Sequence, residues 1–330
     1  MFSKLIRLMT GILLAVGLAA GTAEAADNTV TIGHFGSALP FVVALKSGEF
    51  ERATGWKIEW RTFGSGTDVI AAMASGDVKI ALLGSSAFVI GATQGVDYQL
   101  FAISDEIGDS EALIARNGSG IEKLADLKGK KIATPLGSTS HFSLMGAMKM
   151  AGLSAADATI LGMQPAQIYA AWEQGQIDAA YVWDPVKTRI LKSGTMIIRS
   201  DQVSGVKPFD GWVVDRQFAQ ANPEFLKAFL KTLAAADSAY NANPAAWTAD
   251  SEPVKAIAAS IGENPSDIPT ELKGLIYPSL AEMASQTWLG GGVVANMAET
   301  AKFLLENKRI DHVLSDYSRF VNASFVHSAM

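Results

Sequence analysis

One short pattern occurs twice in this chain, and it restricts the possible folds more than any other feature. Ala71-Ala72-Met73-Ala74-Ser75-Gly76-Asp77-Val78-Lys79-Ile80-Ala81 is echoed by Ala170-Ala171-Trp172-Glu173-Gln174-Gly175-Gln176-Ile177-Asp178-Ala179-Ala180. Each copy reads as a helix end, a glycine turn, a short apolar strand and a polar loop. The loops are Gly84-Ser85-Ser86 and Trp183-Asp184-Pro185. Ligands of open α/β sheets sit beyond the carboxyl ends of the strands. Two related half-units with polar loops in matching places therefore point to two lobes closing on one small ligand. The plainer alternative is that any two βα units share this look, and the pattern alone leaves that open.

The start of the chain gives an address. Lys4 and Arg7 precede an apolar stretch over Leu8 to Ala20, and Ala23-Glu24-Ala25 has the small-x-small form of a cleavage site. This is the layout of a secretory signal peptide over residues 1–25, too short for a membrane span. The chain has no Cys, which excludes disulfides, thiolate chemistry and cysteine lipidation. A net charge of −6 and the lack of a basic stripe argue against nucleic acid as a partner.

Beyond the signal, strands and helices alternate. Val30–Gly33 opens as a strand, Ala38–Thr54 reads as a helix ended by Gly55, and Trp56–Phe63 alternates like a strand. Ser65 or Thr67 can cap the helix running to Ser75. Glu111–Ala115, Lys131–Thr134 and Gly211–Val214 are further strands, and a helix is expected over His141–Ala151. Asn222-Pro223 and Asn243-Pro244 pair a cap with a first-turn proline, and Ala298–Leu305 is amphipathic. The fold class expected is α/β, with largely parallel sheets flanked by helices. The chain should cross between lobes near Ala112–Arg116 and again near Val206–Val214. Residues 26–113 with 213–330 then form a discontinuous first lobe, and 114–212 form the second. Two short crossings make a hinge rather than a tether.

Two loops suit an anion. Pro135-Leu136-Gly137-Ser138-Thr139-Ser140-His141 leads from a strand into a helix, whose free N–H groups and partial positive charge attract negative ligands. Gly84-Ser85-Ser86 offers the same in the other half. Ser and Thr also cap helices everywhere, so each loop alone has an ordinary explanation. Three acids suit a cation: Glu111, Asp184 and Asp210, with Trp183 and Trp212 beside two of them. An ammonium can lie against an indole face and a carboxylate together. Surface charge is the ordinary fate of such acids, and Asp184 could instead cap a helix ahead of Pro185. His34 and His141 could both face the cleft. No nucleophile elbow, zinc-protease motif or phosphate-binding loop occurs, and no cofactor or metal motif is present.

At these loops the chain resembles the taurine-binding periplasmic receptors of ABC importers and, more broadly, the nitrate/sulfonate/bicarbonate substrate-binding family. The segments that carry the resemblance include Ala74-Ser75-Gly76-Asp77-Val78, Leu83-Gly84-Ser85-Ser86, Ser110-Glu111-Ala112-Leu113, Ser138-Thr139-Ser140-His141, Tyr181-Val182-Trp183-Asp184-Pro185 and Asp210-Gly211-Trp212. The resemblance implies a two-lobed periplasmic binding protein fold of type II-like form, with a two-crossing hinge. It implies an anion pocket from Ser85, Ser86, Thr139 and Ser140. It also implies that Glu111 and Asp210 hold the ammonium of an aminosulfonate against Trp183. The partners implied are the small ligand and an inner-membrane permease, with the receptor a monomer. Members of this family often carry Tyr-Gln where this chain has His34-Phe35. That change could place a charged or donating imidazole by the anion, or mark a different ligand such as an aliphatic sulfonate. An enzyme on the same fold, like the pyrimidine-synthesising relatives of thiamine metabolism, is the competing class. The export signal and the thin catalytic inventory argue against it.

Overall fold

The computed structural model describes residues 28–205 and 207–330, so the expected signal segment lies outside the described residues. Eleven strands are arranged in two sheets: β1 (Thr29–Phe35), β2 (Lys57–Phe63), β3 (Ile80–Gly84), β4 (Tyr98–Ile107), β5 (Glu111–Arg116), β6 (Lys131–Thr134), β7 (Thr159–Gly162), β8 (Ala179–Trp183), β9 (Gly194–Arg199), β10 (Phe209–Asp215) and β11 (Leu275–Ile276). The first lobe holds the order β11-β4-β10-β3-β1-β2, the second β7-β6-β8-β5-β9. Read backwards, the second order matches the first strand for strand, with β11 added at one edge.

The register confirms that match. Ala81 lies opposite Gly33 where β3 meets β1, and Ala180 lies opposite Ala133 where β8 meets β6. The two copies of the sequence pattern therefore occupy equivalent places in two versions of one unit.

The expectation of largely parallel sheets is corrected: both are mixed. β10 runs antiparallel to β3 and β4, and β5 runs antiparallel to β8 and β9. The cause is topological. Each of these strands arrives from the other lobe and enters the middle of its sheet against the local direction. The crossings also fall a little before the expected ones. β5 lies wholly in the second sheet and β10 wholly in the first, so the chain crosses at Gly108–Ser110 and between Val203 and Pro208. Sequence marks a strand but not the sheet that takes it.

The first crossing is pinned from outside. The amides of Gly108 and Ser110 both donate to the Gly274 carbonyl, each at 3.2 Å. A Cβ on Gly108 would lie 2.8 Å from that oxygen, so only glycine fits this approach.

Local signals hold with small shifts. The helix expected over Ala38–Thr54 is broken into Phe41–Ser47 and Glu49–Thr54 by Gly48, whose φ of 70° ends the first turn set. The helix expected from His141 starts at Thr139, because the Ser138 side chain accepts the His141 amide at 3.2 Å. Asn222 precedes the helix Pro223–Ala242 as expected, but its side chain donates back to the Phe218 carbonyl instead of capping. That helix buries Phe225, Leu226, Phe229 and Leu230 on one face. Phe229 meets Phe50 at 4.9 Å and Trp212 at 5.3 Å between ring centroids, forming the aromatic heart of the first lobe. Each such ring contributes about 2 kcal/mol by leaving water. Among the described residues no helix is long and apolar enough to cross a membrane.

Candidate functional site

A cavity of about 50 Å³ lies between the lobes at the carboxyl ends of β1, β3 and β8. Phe35, Ser37, Gly84 and Asp210 wall it from the first lobe, and Glu111, Thr139, Trp183 and Asp184 from the second. Glu271, on the helix Ile268–Lys273, adds a third side.

The repeat explains the placement of two of the acids. Glu111 pairs with Trp183 across β5 and β8, and Asp210 pairs with Gly84 across β10 and β3. Trp183 and Gly84 follow the matched Ala180 and Ala81 by the same three residues. Glu111 and Asp210 are thus equivalent positions on the two crossing strands, facing each other over one cavity.

Both carboxyls are held out of water. Burial pushes Glu111 up to about 8, with the nearby Asp210 charge adding to the shift. Burial pushes Asp210 up to about 7. Glu111 Oε1 accepts a short hydrogen bond from Thr139 Oγ1, and Oε2 accepts one from Ser200 at 3.3 Å. Behind Asp210, its register partner Asp105 is fully buried, and neither of its oxygens has a hydrogen-bond partner among the described residues. Burial and the neighbouring Asp210 raise Asp105 well above the usual carboxylate range. An arriving ammonium would relieve all of these shifts, because a cation within a few ångströms favours the ionised form.

The opposite requirement, an anion, is met by helix ends. Gly84 is the N-cap of Ser85–Thr93, Ser138 is the N-cap of Thr139–Met150, and Gly66 begins Gly66–Ala74. All three of these residues line the cavity. Three helix N-termini converging on one space concentrate free N–H groups and partial positive charge. The site is therefore bipolar, with carboxylates on the crossing strands and positive helix ends beside them.

The lobes meet around it. Gln164 donates to Ser65 across the cleft at 3.1 Å, and Phe142 packs on Phe303 at 4.4 Å. A strap over Glu263–Leu275 reaches from the first lobe to the second. Glu263 pairs with Arg189 in a short contact, and Asp267 pairs with Lys192 at 3.1 Å.

A family model described as NMT1/THI5 like matches residues 37–247. The chain belongs to the NMT1/THI5-like family. The Taurine-binding periplasmic protein of Escherichia coli (strain K12) is 37% identical to it over 317 residues, covering 96% of this chain and 97% of that protein. Among solved structures, the periplasmic aliphatic sulphonate binding protein SsuA from Escherichia coli matches with a TM-score of 0.74 at 22% identity, over 89% of this chain and 92% of that one. The alkanesulfonate-binding protein SsuA from Xanthomonas axonopodis pv. citri, bound to MOPS, matches with a TM-score of 0.73 at 22% identity, over 90% of this chain and 97% of that one. At that identity the structural likeness speaks for the fold.

In this NMT1/THI5-like chain, the residues singled out from sequence divide into two groups. Glu111, Thr139, Trp183, Asp184 and Asp210 line the cavity. Asp184 lines it with its charge already engaged: Lys187 Nζ lies 2.9 Å from Oδ2, and Thr188 donates to Oδ1 through its amide and hydroxyl at 3.0 and 2.7 Å. The bonds from Thr188 tie Asp184 to the first turn of the helix Val186–Leu191, and Lys187 neutralises its charge.

The others stand back from the cavity wall. Ser85, Ser86 and Ser140 are buried in the first turns of the two helices. The Ser86 hydroxyl has no partner among the described residues. Ser140 Oγ makes no well-formed hydrogen bond either, though it lies close enough to Glu111 to favour the carboxylate. Trp212 belongs to the aromatic core, 5.1 Å from Phe41. His34 turns inward between Phe41 and Trp60, each at 5.9 Å, so Phe35 rather than His34 reaches the ligand space. Burial lowers the His34 imidazole below its usual range, and its Nδ1 lies 2.6 Å from the Phe35 carbonyl oxygen. His141 accepts the Gly137 amide at 3.4 Å and packs on Phe303. Burial, then the Arg309 charge, lowers it to about 4, so it braces the anion loop as a neutral ring.

Sequence reasoning missed Ser37 and Glu271, and it noticed Phe35 only as the neighbour of His34. Glu271 sits in a short helix with no motif around it, and only the tertiary fold brings it to the cavity.

Proposed function

We propose that this chain is a periplasmic receptor that captures taurine, or a close aminosulfonate, between its lobes and hands it to an ABC permease. The observation that carries this reading is the bipolar cavity: Glu111 and Asp210 line it from the two lobes, and three helix N-termini open beside them. A small zwitterion with an ammonium and an anionic group matches both. The high identity to a taurine-binding protein along nearly its full length supports the same ligand class. The signal-like start, Lys4 and Arg7 ahead of an apolar stretch and Ala23-Glu24-Ala25, supports export to the periplasm. Contacts from both lobes at once favour the closed arrangement when ligand is present.

A second reading, an aliphatic sulfonate receptor, rests on Phe35, which gives the cavity an apolar wall where the family often has Gln.

Calorimetric titration of the mature protein with taurine, ethanesulfonate and β-alanine separates the two. Micromolar binding, about −8 kcal/mol, of taurine alone is the expected result. Tight binding of ethanesulfonate with none of taurine selects the second reading, and silence with all three removes both.

A further inference from the structure

We propose that Glu271 is a specificity-determining residue of the cleft, an acceptor for N–H donors of a cationic ligand head. The proposal rests on the aminosulfonate reading and adds to it a third carboxylate from outside the two crossing strands.

Glu271 is 2% exposed and lines the cavity together with Glu111 and Asp210. Neither of its carboxylate oxygens has a hydrogen-bond partner among the described residues. Leaving a buried carboxyl without partners is costly, so such a group marks a function or a missing donor. The charged groups bearing on it are Asp184, Glu263, Asp267 and Lys187. The three acids oppose its ionisation, and Lys187 favours it. Lys187 is already engaged, 2.9 Å from Asp184 Oδ2 and donating to the Asp109 carbonyl at 2.6 Å. The two other cations of this interface, Arg189 and Lys192, are paired with Glu263 and Asp267. These neighbours leave Glu271 without a protein cation of its own.

Its position is nonetheless fixed. The strap is tied to the second lobe by those two ion pairs and to the first crossing by the Gly274 carbonyl. The helix that carries Glu271 also buries Ile268 and Leu272 in the first-lobe core, so Glu271 is presented to the cavity from the first lobe while the two ion pairs join the strap to the second. A donor brought by the ligand would satisfy a group that the protein leaves unsatisfied. An amine-free sulfonate would find the same carboxyl unmatched. A site that reads a ligand N–H in this way rejects the analogue lacking it, because its own buried acceptor then goes unpaired.

The test uses the full mature protein and Glu271→Gln, which keeps the shape and removes the charge. Taurine and ethanesulfonate are titrated calorimetrically, and Tm is recorded for each ligand-free protein. The expected result is at least about a 10-fold weaker affinity for taurine, ethanesulfonate bound no more weakly than by wild type, and Tm no lower. Unchanged taurine affinity, or equal losses for both ligands, overturns the role of Glu271 while the receptor reading stands. A wild type that binds neither compound overturns the receptor reading, and this role with it. Should Glu271→Gln fail to fold, Glu271→Asp retains the charge but withdraws it by one methylene. An intermediate loss confined to taurine supports the role, and no loss overturns it.

Discussion

At the scale of single residues, the cleft is a place where burial disfavours the charged form of its acids and a cation would favour it. Glu111 and Asp210 stand at about 8 and about 7 because burial penalises their charged forms. A carboxyl raised on folding contributes stability that is fully present below its unfolded pKa and lost as pH rises through the folded value. The window therefore runs from the ordinary carboxylate range up to about 8. The ligand-free protein should unfold at a lower temperature near about pH 8.5 than near about pH 5.5, and taurine should raise Tm more at the higher pH. A calorimetric Tm that is flat or rising across that window would show that these acids are already ionised. The candidate acids were legible as acids beside tryptophans. Their surroundings were not: Asp184 was readable as a possible helix cap ahead of Pro185, but its pairing with Lys187 was not.

At the scale of elements, the decisive feature is how closely the Gly84 turn approaches the helix Thr139–Met150. A Cβ at Gly84 would stand 3.2 Å from Thr139 Cγ2 and 3.3 Å from Asp210 Oδ1. The Gly84 backbone, at φ −67° and ψ 146°, suits any residue, so the glycine serves the approach and not the turn. Gly84→Ala should leave the Tm of the free protein within about 2 °C of wild type while weakening taurine about 10-fold. A titration showing unchanged affinity would mean that the two elements separate without cost to the ligand. Elements with a clear period or a cap were readable, as the Ser138-capped helix shows. β4 was not. Its burial is nearly continuous over Tyr98–Ile107 and includes Ser104 and Asp105, because both faces of this strand are covered although it lies near the sheet edge, and alternation disappears.

At the scale of the whole molecule, the lobes are bridged by a strap that neither repeat contains. The Arg189–Glu263 and Lys192–Asp267 pairs join that strap to the second lobe. Partly exposed ion pairs contribute about 0.5–1 kcal/mol each. Arg189→Ala should therefore speed ligand release about two- to fivefold and leave the association rate nearly unchanged, as read by stopped-flow fluorescence. An altered association rate with unchanged release would place the strap on the entry path instead of the lock. The sequence alone determined the repeated βα unit, the alternation of strands and helices, the Ser/Thr loops at the helix starts and the acids at the strand starts. It could do so because these are local: hydrophobic period, capping residues and turn glycines act over a few neighbouring positions. Tertiary structure alone decided which sheet takes each crossing strand, that His34 faces the core while Phe35 faces the ligand, and that Glu271 joins the cavity from more than fifty residues beyond Asp210. Those outcomes depend on pairing and packing between segments far apart in the chain, for which no single stretch of sequence carries the signal.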